Sequence, residues 1–412
     1  MQKKPLPMGQ ILSMASDYQD SITSFLQALV QIPSVNGRES EKAVAGRIVE
    51  EGIKLGFQSD LIYKDIERPN AVIQFGTGSD GFAIIAHIDT VAEGKHEDWS
   101  SPPFKAEVKN RKMIGRGTAD NKAGIAVGLY TLKLLHDLAL IDPKSSRIVL
   151  AGVVDEESGA SSSLGVRYLL DQNILKAKGA IYAYASDIVC IGHRGLLRLE
   201  ITTYGESVHA GLAPWHQKKQ GVNAVMGLAE ILTRIENLNI QTEPVPGFEH
   251  LGFKITPGTL FSGGDYPSIV PNKATAMVDM RLLPGQSKDA PLDQIAKVIA
   301  DVQTGRKGLK VETSLLVDMP GAAIPVDHPL ALIAQDCTET ILGRRWEIRG
   351  AGPGNEGYML IGAGIPTLCG FGPTGGNAHA PNEWVDVDSL PRTAAMFAGI
   401  IMEYLGSEFS ES

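Results

Sequence analysis

The sequence predicts an α/β protein: a mixed sheet flanked by helices, with a second, α+β unit inserted into it. Three observations carry that expectation. Residues 82–88 are apolar nearly throughout, the pattern of a strand covered on both faces. Segments of helical spacing lie between such runs, as at Ile125, Leu129, Leu132 and Leu135. From Gly195 the pattern changes. Leu197, Leu199 and Ile201 alternate with Arg198, Glu200 and Thr202, as in a strand with one wet face.

The chain has 412 residues, beyond the roughly 100–200 of one domain, so two domains are expected. With 43% hydrophobic and 21% charged residues it has ample material for buried cores. A net charge of -9 argues against nucleic acid or an anionic membrane as partner. Cys190, Cys337 and Cys369 are scattered, which suggests neither a disulfide framework nor a thiolate metal site. The basic start, residues 1–8, lacks the apolar core of a signal peptide. No apolar run approaches the ~18 residues of a membrane span. A cytoplasmic location is the expectation.

In chain order, residues 1–20 read as a loose lead-in. Residues 21–31 carry Phe25, Leu26, Leu29 and Val30 at helical spacing, and Pro33 stops them. Residues 39–55 form a second amphipathic helix, with Gly56 as its cap. Residues 70–75 and 82–88 are strands. Residues 93–112, polar and irregular, read as a long loop. Residues 123–138 are a helix, 147–154 a strand, 164–175 a helix, and 180–183 start another apolar segment. Beyond Gly195 the order is strand, helix, strand, strand, helix, strand. Its helix residues are Val225, Leu228, Leu232 and Ile235, then 291–302. Its later strands are 251–255, 274–283 and 309–316, with a Gly-rich turn at 262–265. That order fits a small antiparallel sheet with helices on one face, a ferredoxin-like arrangement. The expected domains are 1–194 with 319–412, and the insertion 195–318.

Polar residues gather at the ends of the apolar runs. His87 and Asp89 end one strand, Asp120 precedes a helix, and Glu156 and Glu157 end another strand. In an open α/β sheet, functional groups collect at the carboxyl ends of strands. Two like charges at the end of an apolar strand are costly unless a cation neutralises them. An imidazole with several carboxylates suits a divalent ion such as zinc. His379 lies in a later Gly-rich loop able to approach a ligand closely.

The ordered set of motifs resembles the metallopeptidase and amidohydrolase family of aminoacylase, carboxypeptidase G, acetylornithine deacetylase and succinyl-diaminopimelate desuccinylase. The matching stretches are His87-Ile-Asp89-Thr-Val91, Trp99 with Pro103-Phe104, Gly115-Arg-Gly-Thr-Ala-Asp120-Asn-Lys122 and Asp155-Glu156-Glu157. They continue with His209-Ala-Gly211, Asp279-Met-Arg281, and Phe371-Gly-Pro373 before His379-Ala-Pro381. They cover about residues 20–400. The resemblance implies a zinc-peptidase-like catalytic domain and an inserted lid and dimerisation domain. It implies His87 and His379 as terminal metal ligands, Asp120 as the bridge between two metals, and Glu157 as a carboxylate ligand. Glu156 would be the general base, and Asp89 would fix the tautomer of His87. His209 and Arg281 would stabilise the oxyanion and grip a substrate carboxylate, with Gly354 and Asn355 also facing the substrate. His209 would serve the site of a partner subunit, so a homodimer or larger homo-oligomer is expected. The cofactor would be zinc, manganese or cobalt, one or two ions per subunit.

Three positions depart from that pattern. The carboxylate expected in a Glu-Pro-Thr stretch before Gly192-His-Arg-Gly195 is missing; Ala183 or Tyr184 stands nearest, and Asp187, the only acid, lies several residues late as the candidate substitute metal ligand. Gly354-Asn355-Glu356-Gly357 replaces a Gly-Thr-Asp, and Ser268 replaces an asparagine. The leading expectation is hydrolysis of the amide of a carboxylate-bearing N-acyl amino acid or dipeptide. The alternatives are hydrolytic deamination of an aromatic amino-carboxylate at a one-metal site, as in a nitroanthranilate aminohydrolase, and a non-catalytic binding protein. Retention of Glu156 argues against the last.

Overall fold

A computed structural model describes residues 8–159 and 163–406 of the chain. Contacts divide it into two compact units, Met1–His193 with Ala323–Ser412, and Arg194–Ala322. Among the described residues no helix is long and apolar enough to cross a membrane.

The first unit is built on a six-stranded mixed sheet. Its order is Gln58–Ile62, Asn70–Phe75, Ser146–Val153, Asp80–His87, Gly179–Tyr182 and Thr367–Leu368. The last four run parallel, and the first two pair antiparallel at one edge. Register explains the site. His87 pairs with Val153, and Ile85 pairs with Tyr182. Residues just past those pairs therefore emerge side by side at one end of the sheet.

The Ala123–Asp137 helix is buried on nearly every side. Gly124 and Gly128 let it lie close to the sheet. A Cβ on Gly124 would come within 2.9 Å of the methyls of Ala86 and Ala183, and one on Gly128 within 2.6 Å of Leu150. The equally buried Ser389–Gly406 helix packs against it. Val166, Leu169, Met359 and Leu360 join Ala83, Ile85, Val149 and Ala151 in another core cluster of this unit.

Several local expectations are corrected. Residues 8–17 are no lead-in but a helix, Met8–Asp17, burying Met8, Ile11 and Ala15 at helical spacing; residues 1–7 lie outside the described set. The loop expected at 93–112 contains a single helical turn, His96–Asp98, and two paired strands, Glu107–Lys109 and Lys112–Ile114. The helix expected over 164–175 is only Val166–Asp171. The glycine-rich segment at 262–265 is not all turn, because the Lys254–Gly263 strand runs into it. Gly264, at φ +84°, supplies the left-handed turn beyond.

The second unit is a four-stranded antiparallel sheet. Its order is Lys254–Gly263, Lys273–Leu282, Gly195–Tyr204 and Lys310–Met319. Leu197, Leu199, Ile201, Val278 and Met280 face a core shared with Leu228, Ile231, Ile295 and Ile299. Those last four belong to the helices Ala224–Glu236 and Asp289–Gly305. Asn223 caps the first by accepting a bond from Met226 N at 3.0 Å.

Candidate metal centre

His87 is the last residue of its strand and is fully buried. Its Nδ1 lies 3.0 Å from the Asp89 carbonyl oxygen, which leaves Nε2 facing Asp120 Oδ1 at 2.7 Å. The buried Asp89 carboxylate ties this strand end to the next one. It accepts Asn36 Nδ2 at 2.7 Å and the Glu157 backbone N–H at 3.0 Å. The acids at 156 and 157 follow a turn in which Asp155 takes a left-handed φ of 67°. That conformation is uncommon for a residue with a side chain, and Arg68 anchors it through the Asp155 carboxylate at 2.7 Å.

Asp120 does not simply precede a helix. It sits in a kinked segment, Thr118–Lys122, with φ -133° and ψ 86°. Two buried polar side chains hold this segment. Lys122 Nζ donates to the carbonyls of Leu29 and Ile32 at 3.1 and 2.7 Å, tying the segment to the end of the Gln19–Val30 helix. Glu383 holds the other side. One of its oxygens accepts the N–H groups of Ala119 and Asp120 at 2.8 and 2.9 Å. The other accepts Gly117 N at 3.1 Å and Arg116 Nη1 at 2.7 Å. The His379 loop thus clamps the Asp120 loop.

His379 has a left-handed φ of 62°. Its Nε2 lies 3.1 Å from both Asp120 Oδ2 and Glu157 Oε1. Asp120 therefore stands between two imidazoles, one on each carboxylate oxygen. Two overlapping groups of ligand atoms result: His87 with Glu156 and Glu157, and Asp120 with Glu157 and His379, each within 4.8 Å.

The electrostatics show what the cluster wants. Burial alone would lower the His87 imidazole, but contact with Asp120 and Asp89 raises it well above its ordinary value. Asp120 and Glu157 raise His379 to about 10. Burial opposes the charge on Asp120, yet His379 and His87 hold it below the usual carboxylate range. Several carboxylates and two imidazoles at this spacing fit a divalent ion of the zinc, manganese or cobalt kind. Asp120, Glu157 and His379 could hold one such ion, with His87 on the far side of Asp120.

Glu156 differs from its neighbours. Burial raises its carboxyl to about 8, and the adjacent Glu157 adds to the shift. Tyr184 donates its hydroxyl to Glu156 Oε1 at 3.1 Å. The Tyr184 ring stacks on Tyr182 at 5.4 Å and lies 5.6 Å from the His87 ring. Burial and Glu156 push the phenol well above its ordinary value, so it stays neutral. A cavity of about 360 Å³ opens beside the cluster, bordered by Asp120, Glu156, Glu157, Tyr184, Asp187 and His379.

The remaining expected site residues join neither ligand group. Asp187, considered as a substitute ligand, borders the cavity but joins neither ligand group. Gly354 and Asn355 also border it. The Asn355 amide is spent on the backbone, donating to Cys369 O at 2.8 Å and accepting from Gly357 N at 2.9 Å. In the second unit, His209 accepts Gly211 N at 3.0 Å. Arg281 is forked onto Asp279, at 2.7 and 3.2 Å. Sequence reasoning missed Glu383 and Arg116 as supports of the cluster. The only hint was a glutamate four residues after His379.

Imidazoles and carboxylates gathered at the strand ends of a mixed α/β sheet form a candidate metal centre. The chain belongs to peptidase family M20/M25/M40, whose model matches residues 83–403. It is thus a hydrolase acting on carbon–nitrogen bonds. Escherichia coli K12 protein YgeY is 29% identical over 421 residues, covering 98% of this chain and 100% of the relative. A "probable succinyl-diaminopimelate desuccinylase" of Staphylococcus epidermidis is 29% identical over 341 residues, covering 76% and 79%. Among solved structures, a tripeptidase from Staphylococcus aureus superposes with a TM-score of 0.75 at 20% identity, covering 94% of this chain and 99% of that one.

Proposed function

We infer that the protein hydrolyses the amide bond of a carboxylate-bearing N-acyl amino acid or dipeptide, with Glu156 as general base. The observation that carries this reading is the buried Glu156 carboxylate, held by the Tyr184 hydroxyl at 3.1 Å from Oε1 beside a cluster able to bind a metal. A divalent ion, zinc foremost, supplies Lewis acidity when bound, polarising the carbonyl and making water easier to deprotonate. Glu156 takes the proton from the attacking water and hands it to the departing nitrogen. Tyr184 keeps the base oriented through its hydroxyl. Asp89 holds the backbone of the acidic pair. The grouping of His87 with Glu156 and Glu157, and of Asp120 with Glu157 and His379, supports ligand roles for His87, Asp120, Glu157 and His379.

Because a neutral phenol stands where a further carboxylate was expected, the two sides of Asp120 bind metal unequally. That asymmetry favours a second reading, deamination of an aromatic amino-carboxylate at one metal. A panel of N-acyl amino acids, dipeptides and aryl amines, supplied with zinc, manganese or cobalt, separates the two. Turnover of amides and not of aryl amines is expected; turnover of aryl amines alone would replace the first reading with the second.

The inserted unit, with exposed His209 and exposed Leu260, Phe261 and Leu316, is proposed as a lid and dimerisation domain. Light scattering at working concentration is expected to return at least twice the chain mass. A fully active monomer would contradict that assembly.

A further inference from the structure

The cavity beside the cluster is bordered entirely by residues of the first unit. Its wall away from the metal-binding residues is small and apolar, including Ala185, Ile188, Ala351 and Pro353. At about 360 Å³ it suits a small substrate group. Its polar side chains are nearly all engaged. Ser186 Oγ donates to Ile188 O at 2.9 Å and accepts from Ile188 N. The Asn355 amide is bonded at both ends, and the Tyr184 hydroxyl is given to Glu156. Cys190 Sγ lies 3.2 Å from Gly192 O. Asp187 is the exception: it is exposed, and its carboxylate has no hydrogen-bond or ion-pair partner among the described residues. Among the described residues no lysine or arginine borders the cavity.

We propose that Asp187 selects for positive charge on the substrate group that fills this cavity. The favoured substrates are then amides whose acyl part is a short apolar chain ending in an ammonium, as in a basic dipeptide or a diamino acid derivative. An acyl group ending in a carboxylate meets the unpaired Asp187 carboxylate, with no lysine or arginine among the described residues on the wall to offset it, and is disfavoured. This narrows the amide-hydrolase reading and rests on it.

The test compares Lys-Ala, Gln-Ala and Glu-Ala on metal-supplemented wild type, D187N and D187K. Wild-type kcat/KM is expected to fall in that order. D187N is expected to shrink the lysyl-to-glutaminyl preference about fivefold, the scale of one exposed ion pair, and D187K to reverse the lysyl-to-glutamyl order. An unchanged lysyl-to-glutaminyl ratio in D187N overturns the proposal. Calorimetric binding of free lysine and norleucine to the same proteins needs no turnover. If neither these dipeptides nor N-acyl amino acids are cleaved, the amide reading fails by itself. Tighter binding of lysine than norleucine by wild type but not by D187N would still uphold charge selection. Equal discrimination by both proteins would sink it.

Discussion

Glu156→Gln is expected to keep the fold and the metal and to lose at least ~10²-fold in rate, within the usual contribution of a general base. The substitution is nearly isosteric. It still accepts the Tyr184 hydroxyl that now lies 3.1 Å from Oε1. It leaves Asp120, Glu157 and His379, the other ligand group, intact. What it removes is the ability to take a proton. Metal content measured on the same sample separates this outcome from a collapsed site. Wild-type turnover by a correctly loaded Glu156→Gln would remove Glu156 from the mechanism.

Glu383→Ala is expected to act on both stability and metal. Glu383 and Arg116 are both buried, and truncating the acid strands the guanidinium. Breaking a buried pair in this way costs about 3–5 kcal/mol. It also frees three backbone N–H groups that now fix the Asp120 segment. Glu383→Gln is the gentler probe, because it keeps the volume and one carbonyl acceptor. For that variant metal affinity is expected to fall about 10- to 100-fold, the range for groups that orient ligands without touching the metal. Thermal unfolding measures the alanine variant, and metal titration measures the glutamine one. Unaltered metal affinity in both would show that Asp120 is held without the clamp.

The two results concern residues of very different legibility. His87, Asp89, Glu156 and Glu157 could be read because strand ends are local: an apolar run stops and charged residues follow. Parallel pairing then brings those ends together. Glu383 was invisible because its meaning lies in bonds to residues more than 260 positions away. The Met8–Asp17 helix was missed because three buried residues in ten make a faint stripe. The Arg281–Asp279 pair is legible, since residues two apart on a strand share a face. Asp187 could not be located from sequence, because the turn after Tyr182 decides whether it points among ligands or along the cavity wall.

Metal content beside activity tests the central proposal most directly. Protein stripped with a chelator should not cleave amides, and added zinc, manganese or cobalt should restore cleavage. After dialysis, one tightly held equivalent per chain should remain, with a second weak or absent. Amide turnover that survives complete removal of metal would contradict the account, and two equivalents surviving dialysis would contradict the unequal sites inferred from Tyr184.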